Sequence, residues 1–77
     1  MINLEELYIG FNDELVNIDP LRNLNGLKSL SISECYNIVD YSPLLELSNL
    51  EFLVVSYNAE ADYTDFYNIN SLDFNVG

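Results

Sequence analysis

The chain has 77 residues, with 13 Asp and Glu against two Lys and Arg, no His, and a formal charge of −11. This length suits one small core, and 49% hydrophobic residues is far above the content of a disordered acidic tail. Two cations cannot neutralise a run of phosphates, which disfavours direct nucleic-acid binding, an anionic membrane surface repels such a chain, and the absence of His removes the commonest general base and metal ligand.

The first segment, Met1-Ile2-Asn3-Leu4-Glu5-Glu6, has no basic region, and no apolar run approaches the length of a signal or membrane-spanning segment. Cys35 is the only cysteine, so no internal disulfide can form and a reducing, cytoplasmic setting is expected. With no His to activate it, Cys35 reads as a small buried filler rather than a nucleophile.

An internal period organises the rest. Leu4, Leu27 and Leu50 recur at one constant interval, and Leu7, Leu30 and Leu53 repeat it, as do Ile9, Ile32 and Val55. Asn12, Cys35 and Asn58 continue the same spacing, so each block reads L-x-x-L-x-[I/V]-x-x-[N/C]. The second halves also align: Leu15 with Ile38, Ile18 with Tyr41, Pro20 with Pro43, Leu21 with Leu44 and Leu24 with Leu47. Strands are expected around Leu7–Ile9, Leu30–Ile32 and Leu53–Val55, with alternate side chains pointing inward. Pro20 and Pro43 each precede Leu-x-x-Leu and predict the start of a short helical turn. After Asn58 the register shortens. A frame through Ile69, Leu72 and Phe74 makes the third block shorter than the first two, with a fourth strand around Leu72–Phe74 and Gly77 at the Asn/Cys position.

These blocks resemble leucine-rich repeats, and Ile18-Asp19-Pro20-Leu21-x-x-Leu24 with Tyr41-Ser42-Pro43-Leu44-x-x-Leu47 resembles the internalin-like type. The two full blocks carry one extra residue after the Asn/Cys position, which widens a turn. The resemblance implies an α/β fold: a single solenoid domain with a short parallel sheet of three to four strands and helical or 3-10 turns on the convex side. Its blocks would run about 2–24, 25–47 and 48–67, with a partial one over 68–77. Asn12 and Asn58 would bond backbone groups of their turn and of the next rung. Such motifs specify fold and are nearly silent about function. A stack this short exposes pairing edges. Either a partner or a second copy occupies an end, giving a homodimer through open ends, or Glu5, Glu6 and Asp73 shield a monomer.

Residues between the inward columns should form the concave face. The expected rows are Glu6, Ser29, Phe52 and Ser71; then Tyr8, Ser31, Val54 and Asp73; then Gly10, Ser33, Ser56 and Asn75. Phe11, Glu34, Tyr57 and Val76 follow at the strand exits. Tyr8, Phe11, Glu34, Phe52, Val54 and Tyr57 are therefore candidate partner-binding residues, since large aromatics on a small domain are typical interface anchors. Alternatively, Phe11 and Phe52 fold over the open ends as caps.

The segment Glu60-Ala61-Asp62-Tyr63-Thr64-Asp65-Phe66-Tyr67 interleaves carboxylates with aromatics, and residues 29–77 carry eight acids and no base. No D-x-[DN]-x-[DN]-G run with a distal Glu supports a calcium loop. Asp62 and Asp65 read either as phosphate-like partner contacts or as parts of a solvated loop whose Phe66 and Tyr67 close the core. Paired acids need an enclosing cleft for glycoside chemistry, and no phosphate-cradling glycine loop, zinc spacing or Ser–His pair is present. The expectation is a non-enzymatic binding module without cofactor or metal. Its partner would be a protein with a basic surface, with the leading form an inhibitor in the nucleic-acid channel of a nuclease-type enzyme, as anti-CRISPR, phage counter-defence and toxin-immunity proteins are. The competing expectation is a generic repeat adaptor, or part of a longer array, whose charge serves only solubility.

Overall fold

Four strands pair in chain order into one parallel sheet: β1 (Glu6–Gly10), β2 (Ser29–Ser33), β3 (Phe52–Val55) and β4 (Asp73–Val76). The structure, a computed structural model, describes residues 4–77; Ile2 and Asn3, at the start of the expected first block, lie outside the described residues. The sequence period is the strand register. Leu7 pairs with Leu30 and Leu30 with Leu53, while Ile9 pairs with Ile32. Like residues therefore stack in columns, whose inner face is covered by the returns that link the strands.

Between strands the chain returns through 3-10 turns over Asp19–Asn23 and Ser42–Glu46, each with its proline at the first helical positions. Proline suits that place because its fixed φ is already helical and no hydrogen bond is lost there. The third return is a single helical turn, α1 (Thr64–Tyr67). Asparagines knit neighbouring segments: Asn49 Nδ2 donates to the Asn25 carbonyl at 2.9 Å, and Asn58 Nδ2 donates to the carbonyls of Tyr36 at 2.9 Å and Ile38 at 3.2 Å.

The core lies between the sheet and these returns. Leu27, Leu30, Ile32, Cys35, Ile38, Leu53 and Val55 are fully buried, with Tyr41, Leu44 and Phe66 almost so. Cys35 is thus a core filler, its thiol 3.5 Å from the Ser33 carbonyl it donates to. At the C-terminal end, Phe66 stacks on Phe74 with ring centroids 5.1 Å apart and planes at 14°. Tyr67 meets the same ring edge-on at 5.0 Å but stays largely exposed, so Phe66 closes this end and Tyr67 only borders it.

The fourth strand corrects the expected frame. Phe74, not Leu72, pairs with Leu53, and Val76 pairs with Val55, so the register falls two positions later than the frame through Leu72 required. The reason is chemical: this register places both Phe74 and Val76 in the inward columns and lets Phe74 meet Phe66, whereas the expected frame leaves Val76 outside. The Gly77 N–H then donates to the Val55 carbonyl at 2.9 Å, and Tyr57 N–H donates to the Gly77 carbonyl at 3.0 Å.

Candidate partner-binding face

The outer face of the sheet follows from alternation along each strand. Its first row runs Glu6, Ser29, Phe52, Asp73, and its second Tyr8, Ser31, Val54, Asn75. Ser71 is absent from it, and Asp73 and Asn75 each sit one row earlier than expected, as the shifted register of β4 requires. Carboxylates therefore stand at both ends of the first row, and small serines keep the second strand low between larger neighbours.

Tyr8 and Phe11 are 79% and 80% exposed, and Tyr57 is 59% exposed. Phe11 accordingly contributes nothing to closing an end. Phe52, at 37%, lies flatter against the sheet, and Val54 is half-buried beside it. Phe11 and Glu34 occupy equivalent places just past β1 and β2, with left-handed φ values of 55° and 56°. This backbone costs energy for any residue with a Cβ. It turns the chain sharply out of the strand and leaves both side chains exposed. Tyr57 lacks that conformation, so the third exit is shaped differently.

Ser56 shows how. Expected on the outer face with Gly10 and Ser33, it is instead 2% exposed. Its Oγ accepts the Cys35 N–H at 3.0 Å and donates to the Ile32 carbonyl at 3.1 Å. Its own carbonyl accepts the hydroxyls of Tyr41 at 3.2 Å and Tyr63 at 2.9 Å. Consecutive buried residues, Val55 and Ser56, break the alternation because a backbone N–H and C=O of the preceding block need partners there. Nothing local in the sequence marks this serine, because both partners of its hydroxyl belong to the preceding block. Burial pushes the Tyr41 phenol well above its ordinary range, with Tyr63 adding to the effect, and burial also raises Tyr63.

Asp62 and Asp65 are brought together, but on a different surface. They line a cleft of about 200 Å³ with Asp40, Ser42, Leu45 and Phe66, beside the second 3-10 turn. A hydrogen bond from the Thr64 side chain, followed by its backbone N–H, holds the Asp62 carboxyl below its usual range, and Ser42 does the same for Asp40. Among the described residues, no group of three His, Cys, Asp or Glu is placed to hold a metal ion. The candidate residues thus fall into two sets: Tyr8, Phe11, Glu34, Phe52, Val54 and Tyr57 on the sheet and its strand exits, and Asp62 with Asp65 on the flank.

Of the two cations, Arg22 is engaged internally, bridging Asp19 at 2.5 Å and Glu46 at 3.0 Å. Lys28 is exposed and makes no ion pair among the described residues. Val16, Tyr36 and Tyr67 are further exposed hydrophobic residues that the repeat pattern does not single out. Among the described residues, no helix is long and apolar enough to cross a membrane. No family model matches the chain, and neither the curated proteins nor the solved structures contain a match.

Proposed function

We propose that the chain is a non-enzymatic protein-binding module, built as a short leucine-rich-repeat solenoid of the internalin-like type, whose outer sheet face docks a basic protein surface. One observation carries this reading: Tyr8 and Phe11 hold large aromatic side chains almost wholly in solvent, on a face where they add nothing to the core. Aromatics left out of the core gain their packing energy from a partner. The surrounding charge selects the partner's sign. Glu6 and Asp73 close the two ends of the first row, and a formal charge of −11 steers basic surfaces toward the molecule.

The narrower form of the reading is an inhibitor that occupies the nucleic-acid channel of a nuclease-type enzyme, in the manner of anti-CRISPR, phage counter-defence or toxin-immunity proteins. Basic clefts on intracellular proteins commonly serve nucleic acids, and the lone reduced Cys35 fits a cytoplasmic setting. A generic repeat adaptor is the second reading, favoured by the separation of Asp62 and Asp65 from the sheet face. Binding to a panel of basic nucleic-acid-binding proteins, measured at rising salt with the wild type and with Tyr8→Ala/Phe11→Ala, tests both. The inhibitor reading expects binding that weakens steeply with salt, disappears in the double variant, and competes with duplex DNA. Salt-independent binding that DNA does not displace supports the adaptor. Binding unchanged by the double variant removes the sheet face from either reading.

A further inference from the structure

The first block leaves its end of the stack open. Leu30, Ile32, Ile38, Leu44 and Leu47 of the second block are 0–4% exposed. Their counterparts Leu7, Ile9, Leu15, Leu21 and Leu24 in the first block are only half-buried. The same columns are therefore covered in the middle of the sheet and open at its β1 end, with an apolar hollow of about 160 Å³ among Ile9, Leu15, Ile18, Pro20 and Leu21. At the far end Ile69, Leu72, Phe74 and Val76 are also half-buried, but there Phe66 stacks on Phe74; the near end has no such aromatic pair among the described residues.

The backbone is open at the same place. Phe11 N–H donates to the Ser33 carbonyl, and the Glu5 carbonyl accepts from Lys28 and Ser29, so odd-numbered residues of β1 face β2. Alternation then directs the N–H and C=O of Glu6, Tyr8 and Gly10 to the outer edge. Asn12 supplies another donor. It accepts the Glu14 N–H as Asn58 accepts that of Glu60, but Asn58 also donates to the preceding block's carbonyls. Asn12 has no such acceptor among the described residues.

We infer that the β1 edge binds an extended cationic strand whose side chains alternate between basic and apolar. Charge commits the site to that occupant. Glu5 and Glu6 at the start of β1 and Asp13 and Glu14 just past its exit are all exposed, so a second acidic copy is repelled, as charged edge residues commonly ensure. A strand added beside β1 places one side chain next to Glu6, the following one over the Leu7 column, the third against the exposed Tyr8 ring and the fourth over Ile9. Basic groups at the first and third places gain an ion pair and a cation–π contact; apolar groups at the second and fourth cover the half-buried columns. Main-chain bonds supply the affinity and the alternating side chains the selectivity, as in strand addition generally.

The test is amide hydrogen exchange on the full chain with a short peptide of alternating lysine and valine. Exchange at Glu6, Tyr8 and Gly10 is expected to slow about tenfold or more at saturation, with no slowing by the glutamate–valine analogue and none in Glu6→Lys, whose exposed position leaves the core intact. Unchanged exchange at these amides overturns the inference, as does protection confined to Asp73–Val76. Protection that rises with protein concentration in the absence of peptide assigns the edge to a second copy and overturns it as well. A partner that docks on the outer sheet face while these amides keep exchanging leaves the proposed function standing and removes only the edge site.

Discussion

The side chain of Ser56 accepts the backbone N–H of Cys35 at 3.0 Å, tying the exit of the third strand to the exit of the second. The same hydroxyl donates to Ile32, so one buried oxygen satisfies two main-chain groups of the neighbouring block. Ser56→Ala leaves a buried N–H and C=O without partners. A loss of about 1–3 kcal/mol in urea unfolding is expected, with an unchanged denaturant slope. A loss below about 0.5 kcal/mol contradicts the role given to this hydroxyl.

Leu7 and Leu30 occupy the same place in successive blocks and differ in burial. Leu30→Ala empties a fully enclosed site and should cost about 2–5 kcal/mol. Leu7→Ala, at a half-exposed position, should cost distinctly less. Leu30→Asp should abolish the folded state outright, since an uncompensated charge replaces a core leucine. Circular dichroism with thermal and urea melts checks the order; equal costs for the two alanine variants contradict the open-ended stack.

The repeat made most of this fold legible. Leucines recurring at a constant interval specify both the columns and the parallel pairing, because only stacking buries such short strands. Pro20 and Pro43 mark the 3-10 turns through their fixed φ. The frame through Leu72 misplaces the fourth strand, because the repeat pattern lapses in the third return and the Phe74–Phe66 stacking goes with a later register. Alternation puts Ser56 on the wrong face, since its orientation answers backbone needs of another block. The exposure of Tyr8 followed from alternation, whereas that of Phe11 did not, because a ring at the strand exit could equally fold over the open end. The separation of Asp62 and Asp65 from them did not, because it depends on how the irregular third return packs beside Asp40 and Ser42.

Stability should fall in alkali. Burial raises Tyr41 and Tyr63 above the ordinary phenol value of 10.0. A group raised in the folded state contributes stability that is fully present below the unfolded value and is lost as pH climbs toward the folded one. The urea midpoint should therefore hold through neutral pH and decline above pH 10.0, and Tyr41→Phe should flatten that decline while lowering stability at neutral pH through loss of the bond to the Ser56 carbonyl. An unchanged alkaline slope in Tyr41→Phe contradicts the assignment.

Asp62 and Asp65 separate the two functional readings. Both line the flank cleft away from the outer sheet face. If a partner is held by the sheet face alone, Asp62→Lys/Asp65→Lys should leave affinity within about threefold, since rim or remote charges contribute little beyond long-range steering. A loss of about tenfold or more, each tenfold being about 1.4 kcal/mol, would place the flank within the same contact. Titration calorimetry at two salt concentrations distinguishes steering from direct contact.

The most direct measurement places a photo-reactive side chain at Ser31, in the middle of the outer face between Tyr8 and Val54, and in a second variant at Asp62. After irradiation with a captured basic partner, the account predicts crosslinks from position 31 that vanish at high salt and none from position 62. Crosslinks from position 62 alone would contradict the claim that the sheet face is the docking surface.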